Sequence, residues 1–351
     1  MSVIGAQLDR AKLDRAQLEG ARRWALALAA AAAAFGVLLV LKGGNPLDVY
    51  RSMWTSLRGS TGIDGILLKA TPLILAALAV AIPAKAGLCN VGGEGQLVIG
   101  GVCAAGVSLG LDGRMNGTVT LILMCLGAAV GGALWSALAL VLRLLVGINE
   151  AVSTLLLNYL AINVMSFLIF SPWKDANGSG QPATRALPLG ERFPLIGSSR
   201  VHAGLFVALG ATAVVWWLLR STRWGFSLKV VGGNPEAARR AGLPVGLLLL
   251  SAMLVGGALA GLGGATQLAG AEFKLRQGFL LSFGYIGFLS SWLAKHRPLP
   301  VALAAVVLAA IAVSGNSLQI DSQMPAATVN VLMAFLLLAV FGFTARRKAA
   351  I

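Results

Sequence analysis

The 46 residues from Ile66 to Leu111, ILLKATPLILAALAVAIPAKAGLCNVGGEGQLVIGGVCAAGVSLGL, decide the fold. They hold few charges and are long enough for two helices of about 20 residues each, the length that crosses a bilayer core of about 30 Å. The turn between them, Gly87-Leu-Cys-Asn-Val-Gly-Gly-Glu-Gly-Gln96, breaks the helix and leaves backbone groups free. Membrane proteins tolerate such a break only where the backbone is buried in protein or lines a wet cavity. The stretch therefore reads as two spanning helices joined by a polar, glycine-rich turn.

Composition carries the same reading outward to all 351 residues. With 57% hydrophobic residues and 44 glycines, about 70% of the chain is apolar or glycine, against roughly 45–50% in soluble domains. Charged residues make up 12%, about half the usual share, so the solvent for this chain is a bilayer. The net charge of +15 comes from Lys and Arg scattered in short clusters between apolar runs, and nucleic acid is excluded as a partner because no single basic face is formed. Cys89, Cys103 and Cys125 fall in or beside apolar runs and read as small packing residues. His202 and His296 lie far apart without metal-ligand spacing around them, so no metal and no cofactor is expected.

Ten apolar runs are placed as spans: Trp24 to Leu41, Ile66 to Ala84, Leu97 to Leu111, Val119 to Leu142, Val152 to Phe170, Gly204 to Leu219, Leu247 to Ala269, Phe279 to Ala294, Leu299 to Val313 and Ala326 to Phe343. The expected fold class is thus an all-α, polytopic membrane protein of about ten transmembrane helices. A tail of residues 1–23 precedes the transmembrane body of residues 24–343, and a tail of 344–351 follows it. The long polar connections are residues 171–203 outside and 220–246 inside. Orientation follows from Lys and Arg, which favour cytoplasmic loops. With the amino terminus inside, 17 of them fall on the inner segments and 11 on the outer ones, so both termini are expected in the cytoplasm. Gly92-Gly93-Glu94-Gly95-Gln96-Leu97 is echoed at Gly263-Gly264-Ala265-Thr266-Gln267-Leu268, an offset of 171. The echo suggests that spans 2–5 and 7–10 form an inverted repeat, an arrangement that places a substrate path between two halves.

Three stretches could carry function. In the broken turn, Asn90, Glu94 and Gln96 can bond hydroxyls or amides of a solute, and Gln267 is the echo of Gln96. The competing reading makes the turn interfacial, with Glu94 capping the next helix. In the fifth span, Thr154 and Asn158 share a helix face, either as interhelical glue or as substrate contacts. In the loop of residues 220–246, Asn234 is a helix N-cap, Pro235 the first helical residue, Glu236 an acid at the positive end, and Arg239 and Arg240 the last turn. Gly242 terminates that helix and Pro244 follows. Two turns are not stable alone in water, so this helix is expected to dock on a partner.

Together, Asn90-Val-Gly-Gly-Glu-Gly-Gln96, the stretch from Asn149-Glu150 to Asn158-Tyr159, and Gly233-Asn234-Pro235-Glu236-Ala237-Ala238-Arg239 with Ala241-Gly242 resemble permease subunits of bacterial ABC importers. The superfamily is that of the branched-chain amino acid and ribose permeases. The nucleoside and simple-sugar branch is the more similar one, because its motif after the second span reads Asn-Ile-Gly-x-Glu-Gly-Gln. Its outer loop also opens on a Gly-Pro-Trp-like sequence, here Ser171-Pro172-Trp173. The sequence departs from this pattern at Gly284-Tyr-Ile-Gly-Phe288, where Ile286 replaces an acid.

The resemblance implies a multi-pass protein of the bacterial inner membrane. It also implies a second permease, homo- or heterodimeric, a cytoplasmic ABC ATPase, and an extracytoplasmic substrate-binding protein. The helix from Asn234 to Gly242 corresponds to the coupling helix. No Gly-Lys pair and hence no phosphate loop is present, so ATP belongs to another subunit and the chain is not an enzyme. The spans hold no ladder of charges, which suits a neutral polar solute, a nucleoside or else a simple sugar. An ion-coupled secondary transporter is the rival, and it would need Glu94 as its titrating acid.

Overall fold

A backbone in hydrocarbon has to satisfy its own N–H and C=O groups, and the apolar runs accordingly fold as helices. The computed structural model describes residues 22–348 apart from 23, 24, 27, 177, 179 and 322–327. The amino-terminal tail of residues 1–23, Arg22 excepted, and the last residues of the carboxy-terminal tail lie outside that set. The helices are α1 (Leu28–Leu41), α2 (Pro46–Leu57), α3 (Gly59–Lys85), α4 (Gly93–Leu111), α5 (Gly117–Val146), α6 (Glu150–Phe170) and α7 (Gly204–Ser221). They continue with α8 (Arg223–Gly233), α9 (Pro235–Arg240), α10 (Val245–Gln267), α11 (Phe283–Leu293), α12 (Pro298–Asp321) and α13 (Thr328–Lys348). Among the described residues no strand forms beyond the isolated bridges Ala183–Arg276 and Leu195–His202. The all-α expectation holds.

Among the described residues seven helices are long and apolar enough to cross a bilayer, or eight if α1 and α2 count as one bent span. Three of the ten expected runs are not among the seven: Ala326 to Phe343 begins in residues outside the described set and is helical from Thr328, and the other two differ for identifiable reasons. The run Phe279 to Ala294 is helical only over Phe283–Leu293, about 16 Å long at 1.5 Å per residue, half a membrane. Left-handed Leu280 and Ser282 keep its first part out of a helix. The first run stops at Gly43-Gly44, where the chain turns by 120° into α2, with the Asn45 side chain capping the new helix at Leu47 N (3.1 Å).

The chain divides into two compact units, residues 60–310 and the flanks 1–59 with 311–351. In the flanking unit, Phe35 and Leu39 of α1 are buried, and the Tyr50 hydroxyl of α2 donates to the Ala32 carbonyl at 2.5 Å. In the larger unit α3 is the core element, buried without interruption from Ala70 to Pro83. Helices α4, α5 and α10 close on each other through glycine. A Cβ on Gly261 would lie 2.0 Å from the Ala128 carbonyl oxygen, one on Gly100 2.3 Å from the Gly261 Cα, and one on Gly264 2.1 Å from the Leu97 carbonyl oxygen. Small residues let backbones approach where no hydrophobic force drives helices together. The two echoed glycine stretches thus pack against each other, one opening α4 and the other ending α10.

Candidate functional site

Helix α3 ends at Lys85, and after a turn the chain runs without regular structure from Leu88 to Val91 before α4 opens at Gly93. Beyond Leu88 N, which donates to the Pro83 carbonyl, such a segment lacks helical partners for its backbone, and α6 supplies them. Glu150, Thr154 and Asn158 recur every four residues on one face, over about 12 Å of helix. Glu150 Oε1 accepts from Cys89 N (3.1 Å), Thr154 Oγ1 from Val91 N (3.2 Å), and Asn158 Oδ1 from Gly95 N (2.8 Å). Asn158 Nδ2 donates back to the Val91 carbonyl at 3.0 Å. The carboxylate of Glu150 is held in turn by Arg143 at 2.5 Å. Asn90 and Gln96 exchange amide hydrogen bonds of 3.2 and 2.9 Å, and the Asn90 oxygen also accepts from Gly92 N at 3.0 Å. Asn90, Gln96, Glu150, Thr154 and Asn158 are all buried, and Arg143 is half-exposed.

Glu94 stands where the amino ends of the spanning helix α4 and the short helix α11 meet. The sequence admits a cap on the following helix, but the carboxylate caps α11, nearly 190 residues on. Oε1 accepts from Ser282 N at 2.5 Å and Oε2 from Gly284 N at 2.6 Å. Glu94 also lies in the first turn of α4, so the positive ends of two helices converge on one anion. A charge at depth costs about 2.5–3.5 kcal/mol on insertion scales, and charge-assisted hydrogen bonds with both dipoles offset it. The approach demands glycine, since a Cβ on Gly284 would sit 2.0 Å from Glu94 N. Tyr285 joins the group through its hydroxyl, 3.3 Å from Asn158 Nδ2.

Five of the expected path residues, Asn90, Glu94, Gln96, Thr154 and Asn158, therefore form one buried junction. Gln267 does not join it. It ends α10 just before a π-helical turn, Leu268–Glu272, and its amide reaches Glu272 Oε1 at 3.5 Å. Glu150 and Ser282 were missed as members. The four-residue spacing from Glu150 through Thr154 to Asn158 was the signal for the first, and nothing local marks the second.

The long connection 171–203 is strapped to the π turn and the chain that leaves it. Thr184 N donates to the Leu275 carbonyl at 3.0 Å, Leu275 N to Thr184 Oγ1 at 3.0 Å, and Phe193 N to the Ala269 carbonyl at 3.0 Å. Buried Glu191 accepts from Ser108 Oγ of α4. His202 is wedged between the Phe193 ring (5.6 Å) and Gly270, with Nδ1 accepting from Gly204 N at 3.1 Å and Nε2 buried without a partner. Burial pushes this imidazole down to about 4.

At the other end, α9 forms as its sequence requires. The Asn234 oxygen accepts from Glu236 N and Ala237 N, both at 3.0 Å, and Pro235 is the first helical residue. Glu236 pairs with Arg239 (2.7 Å) and Arg240 (3.3 Å), all three exposed. Gly242 closes the helix at φ +79°, and Ala238 alone is buried. Pro235 and Arg239 border a cavity of about 460 Å³ that Gly87, Arg143, Gly232 and Leu249 also line.

Residues 62–341, which contain the junction and α9, match the family described as branched-chain amino acid transport system / permease component. The chain belongs to that family. A glucose ABC transporter permease of Haloferax volcanii is 35% identical to this permease, over 89% of this chain and 85% of the relative. A guanosine ABC transporter permease of Bacillus subtilis is 29% identical over 87% and 88%. A nucleoside ABC transporter permease of Lactococcus lactis is 28% identical over 82% of both. The permease is a multi-pass membrane protein and a transport subunit, not an enzyme.

Proposed function

We propose that this permease is the membrane subunit of an ATP-driven importer for a neutral polyhydroxylated solute, a nucleoside in the first place. The observation that carries this reading is the state of the junction. Its two carboxylates are already engaged, Glu94 by the Ser282 and Gly284 N–H groups and Glu150 by Cys89 N and Arg143, and what remains is amide and hydroxyl, groups that bond a neutral solute and reject a charged one. Asn90, Glu94, Gln96, Thr154, Asn158 and Gln267 belong to the path as its frame, holding the broken segments along which the solute passes. Helices α4 and α11 are counterparts in an inverted repeat of α3–α6 with α10–α13. In each half a long helix is followed by irregular chain and then by a helix, α4 or α11, whose amino end meets Glu94.

The coupling element is α9 with Asn234, Pro235, Glu236, Arg239, Arg240 and Gly242. The ATPase docks there from the cytoplasm, where both termini also lie, and a second permease and an extracytoplasmic binding protein complete the assembly in the plasma membrane. Similarity to the glucose permease at 35% favours a simple sugar as the second reading. Calorimetry of the cognate binding protein against guanosine, other nucleosides and glucose separates the two. Tight binding of guanosine with none of glucose is expected, the reverse assigns the sugar, and binding of a charged amino acid alone overturns both.

A further inference from the structure

The turn between α11 and α12 gathers positive charge that no carboxylate balances. Lys85, the last residue of α3, donates through Nζ to the Lys295 carbonyl at 3.4 Å, and the charges of Arg297 and Lys229 act on Lys85 across the same space. Lys295 and His296 both adopt left-handed φ, 52° and 56°, a conformation few non-glycine residues take. The turn is pinned by His296 N donating to the Ser291 carbonyl (2.8 Å) and by Ser291 Oγ against His296 Nδ1 (2.9 Å). Burial first, and then the Lys85 charge, push His296 down to about 4, so the imidazole is neutral and the four cations are Lys85, Lys229, Lys295 and Arg297. Among the described residues none of the four pairs with an acid. The acids of this face, Glu150 and Glu236, are occupied by Arg143, Arg239 and Arg240.

An apolar surface continues from the cluster. Two residues past Arg297, α12 presents Leu299, Leu303 and Val307 at four-residue spacing, all exposed, and exposed Trp292 sets its ring edge-on to His296 at 4.9 Å. Tryptophan beside cations at a helix end marks the membrane–water boundary, and basic pockets between helices on the cytoplasmic side take anionic head groups. We propose that Lys85, Lys229, Lys295 and Arg297 hold the phosphate of an anionic phospholipid whose acyl chain lies along Leu299, Leu303 and Val307. An acidic surface of the ATPase would meet the same charges, but it would leave Trp292 and the α12 stripe unaccounted for. A free phosphate would use the cations without the stripe. The proposal rests on membrane insertion and on this face being cytoplasmic, not on the identity of the solute.

The test uses the full-length permease in neutral detergent, titrated with phosphatidylglycerol or phosphatidylcholine brominated on the acyl chains. Quenching of tryptophan fluorescence is read, and Trp292→Phe identifies the local signal. Phosphatidylglycerol is expected to quench Trp292 at severalfold lower lipid than phosphatidylcholine. In Lys295→Gln/Arg297→Gln its half-quenching concentration rises about tenfold, while quenching by phosphatidylcholine, which reports the folded protein, stays the same. Equal quenching by the two lipids in the unmodified chain overturns the proposal. So does a preference for phosphatidylglycerol that survives the double substitution. Displacement of phosphatidylglycerol by millimolar inorganic phosphate would assign the site to a soluble anion and overturn the lipid.

Discussion

Each oxygen of Glu94 takes one backbone N–H of α11, so its substitutions are graded by what they leave behind. Glu94→Gln keeps one acceptor but turns an amide donor toward the second N–H, a loss of about 1.5–3 kcal/mol for a hydrogen bond to a charged group. Glu94→Ala orphans both donors and is expected to be worse. Thermal unfolding in detergent, with uptake measured alongside, checks the order wild type, Gln, Ala. An equal midpoint for all three would remove the capping role. His202 gives a pH dependence. Its imidazole is held neutral by burial, down to about 4 from an ordinary value near 6.5. Between these values the unfolded chain binds the proton that the folded chain refuses. Stability is therefore full above about pH 6.5, falls as pH drops toward 4, and levels off below, by about 3 kcal/mol in all. His202→Asn should flatten that slope in unfolding midpoints measured from pH 7 to 4. At this scale the sequence made Glu94, Thr154 and Asn158 conspicuous, because a polar group in hydrocarbon has to find a partner. It left the partners hidden, because Ser282 and Gly284 offer backbone N–H groups that leave no trace in residue type.

Helix α9 was legible in full, since capping is local chemistry. Asn234, Pro235, Glu236 and Gly242 each act within four residues of their own position. Helix α11 was legible only as an apolar run, because where it starts is set by a carboxylate from α4 and by left-handed Leu280 and Ser282, not by periodicity. The same reason accounts for the surplus of expected spans: hydropathy registers an apolar segment whether it crosses the bilayer or enters only halfway. Two outcomes follow for these elements. Asn234→Ala removes two cap bonds, worth about 1 kcal/mol, and Gly242→Trp adds a bulky side chain at φ +79° on the exposed face of α9. Both variants should insert and keep the fold of the permease outside α9, Gly242→Trp with about 1–2 kcal/mol of backbone strain confined to the end of α9, while substrate-stimulated ATP hydrolysis falls severalfold. Normal stimulation in Gly242→Trp would detach α9 from coupling. Gly284→Ala, whose Cβ would lie 2.0 Å from Glu94 N, is expected to abolish folded permease altogether, as judged by size-exclusion profile.

For the whole molecule, composition alone established a helical membrane protein, and the family match over residues 62–341 made it a transport permease. The glycine echo at 92–97 and 263–268, which suggested the repeat, occupies unlike places in the fold, one starting α4 and one ending α10. Gly264 closes on Leu97 and Gly101 of α4, whereas Gly92, Gly93 and Gly95 face Thr154, Gly284 and Asn158, so the two stretches use glycine against different neighbours. The meeting of α4 with α11 at Glu94 is the better support for the proposed repeat, and two residues 190 apart in sequence announce nothing to a reader of motifs. Charge places the ends: a cytoplasm-restricted reporter fused after Arg347 and an exterior-restricted one near Gly178 should both be active, and an exterior carboxy terminus would remove a span from the proposed repeat. The central claim is ATP-driven import of a neutral solute through a path that no proton drives. Its most direct measurement is uptake of radiolabelled guanosine into proteoliposomes that hold the permease with its ATPase, ATP in the lumen, binding protein outside and no ion gradient. Uptake that requires ATP and is indifferent to an imposed proton gradient is the expected result. Uptake that ignores ATP and follows the proton gradient would contradict the account.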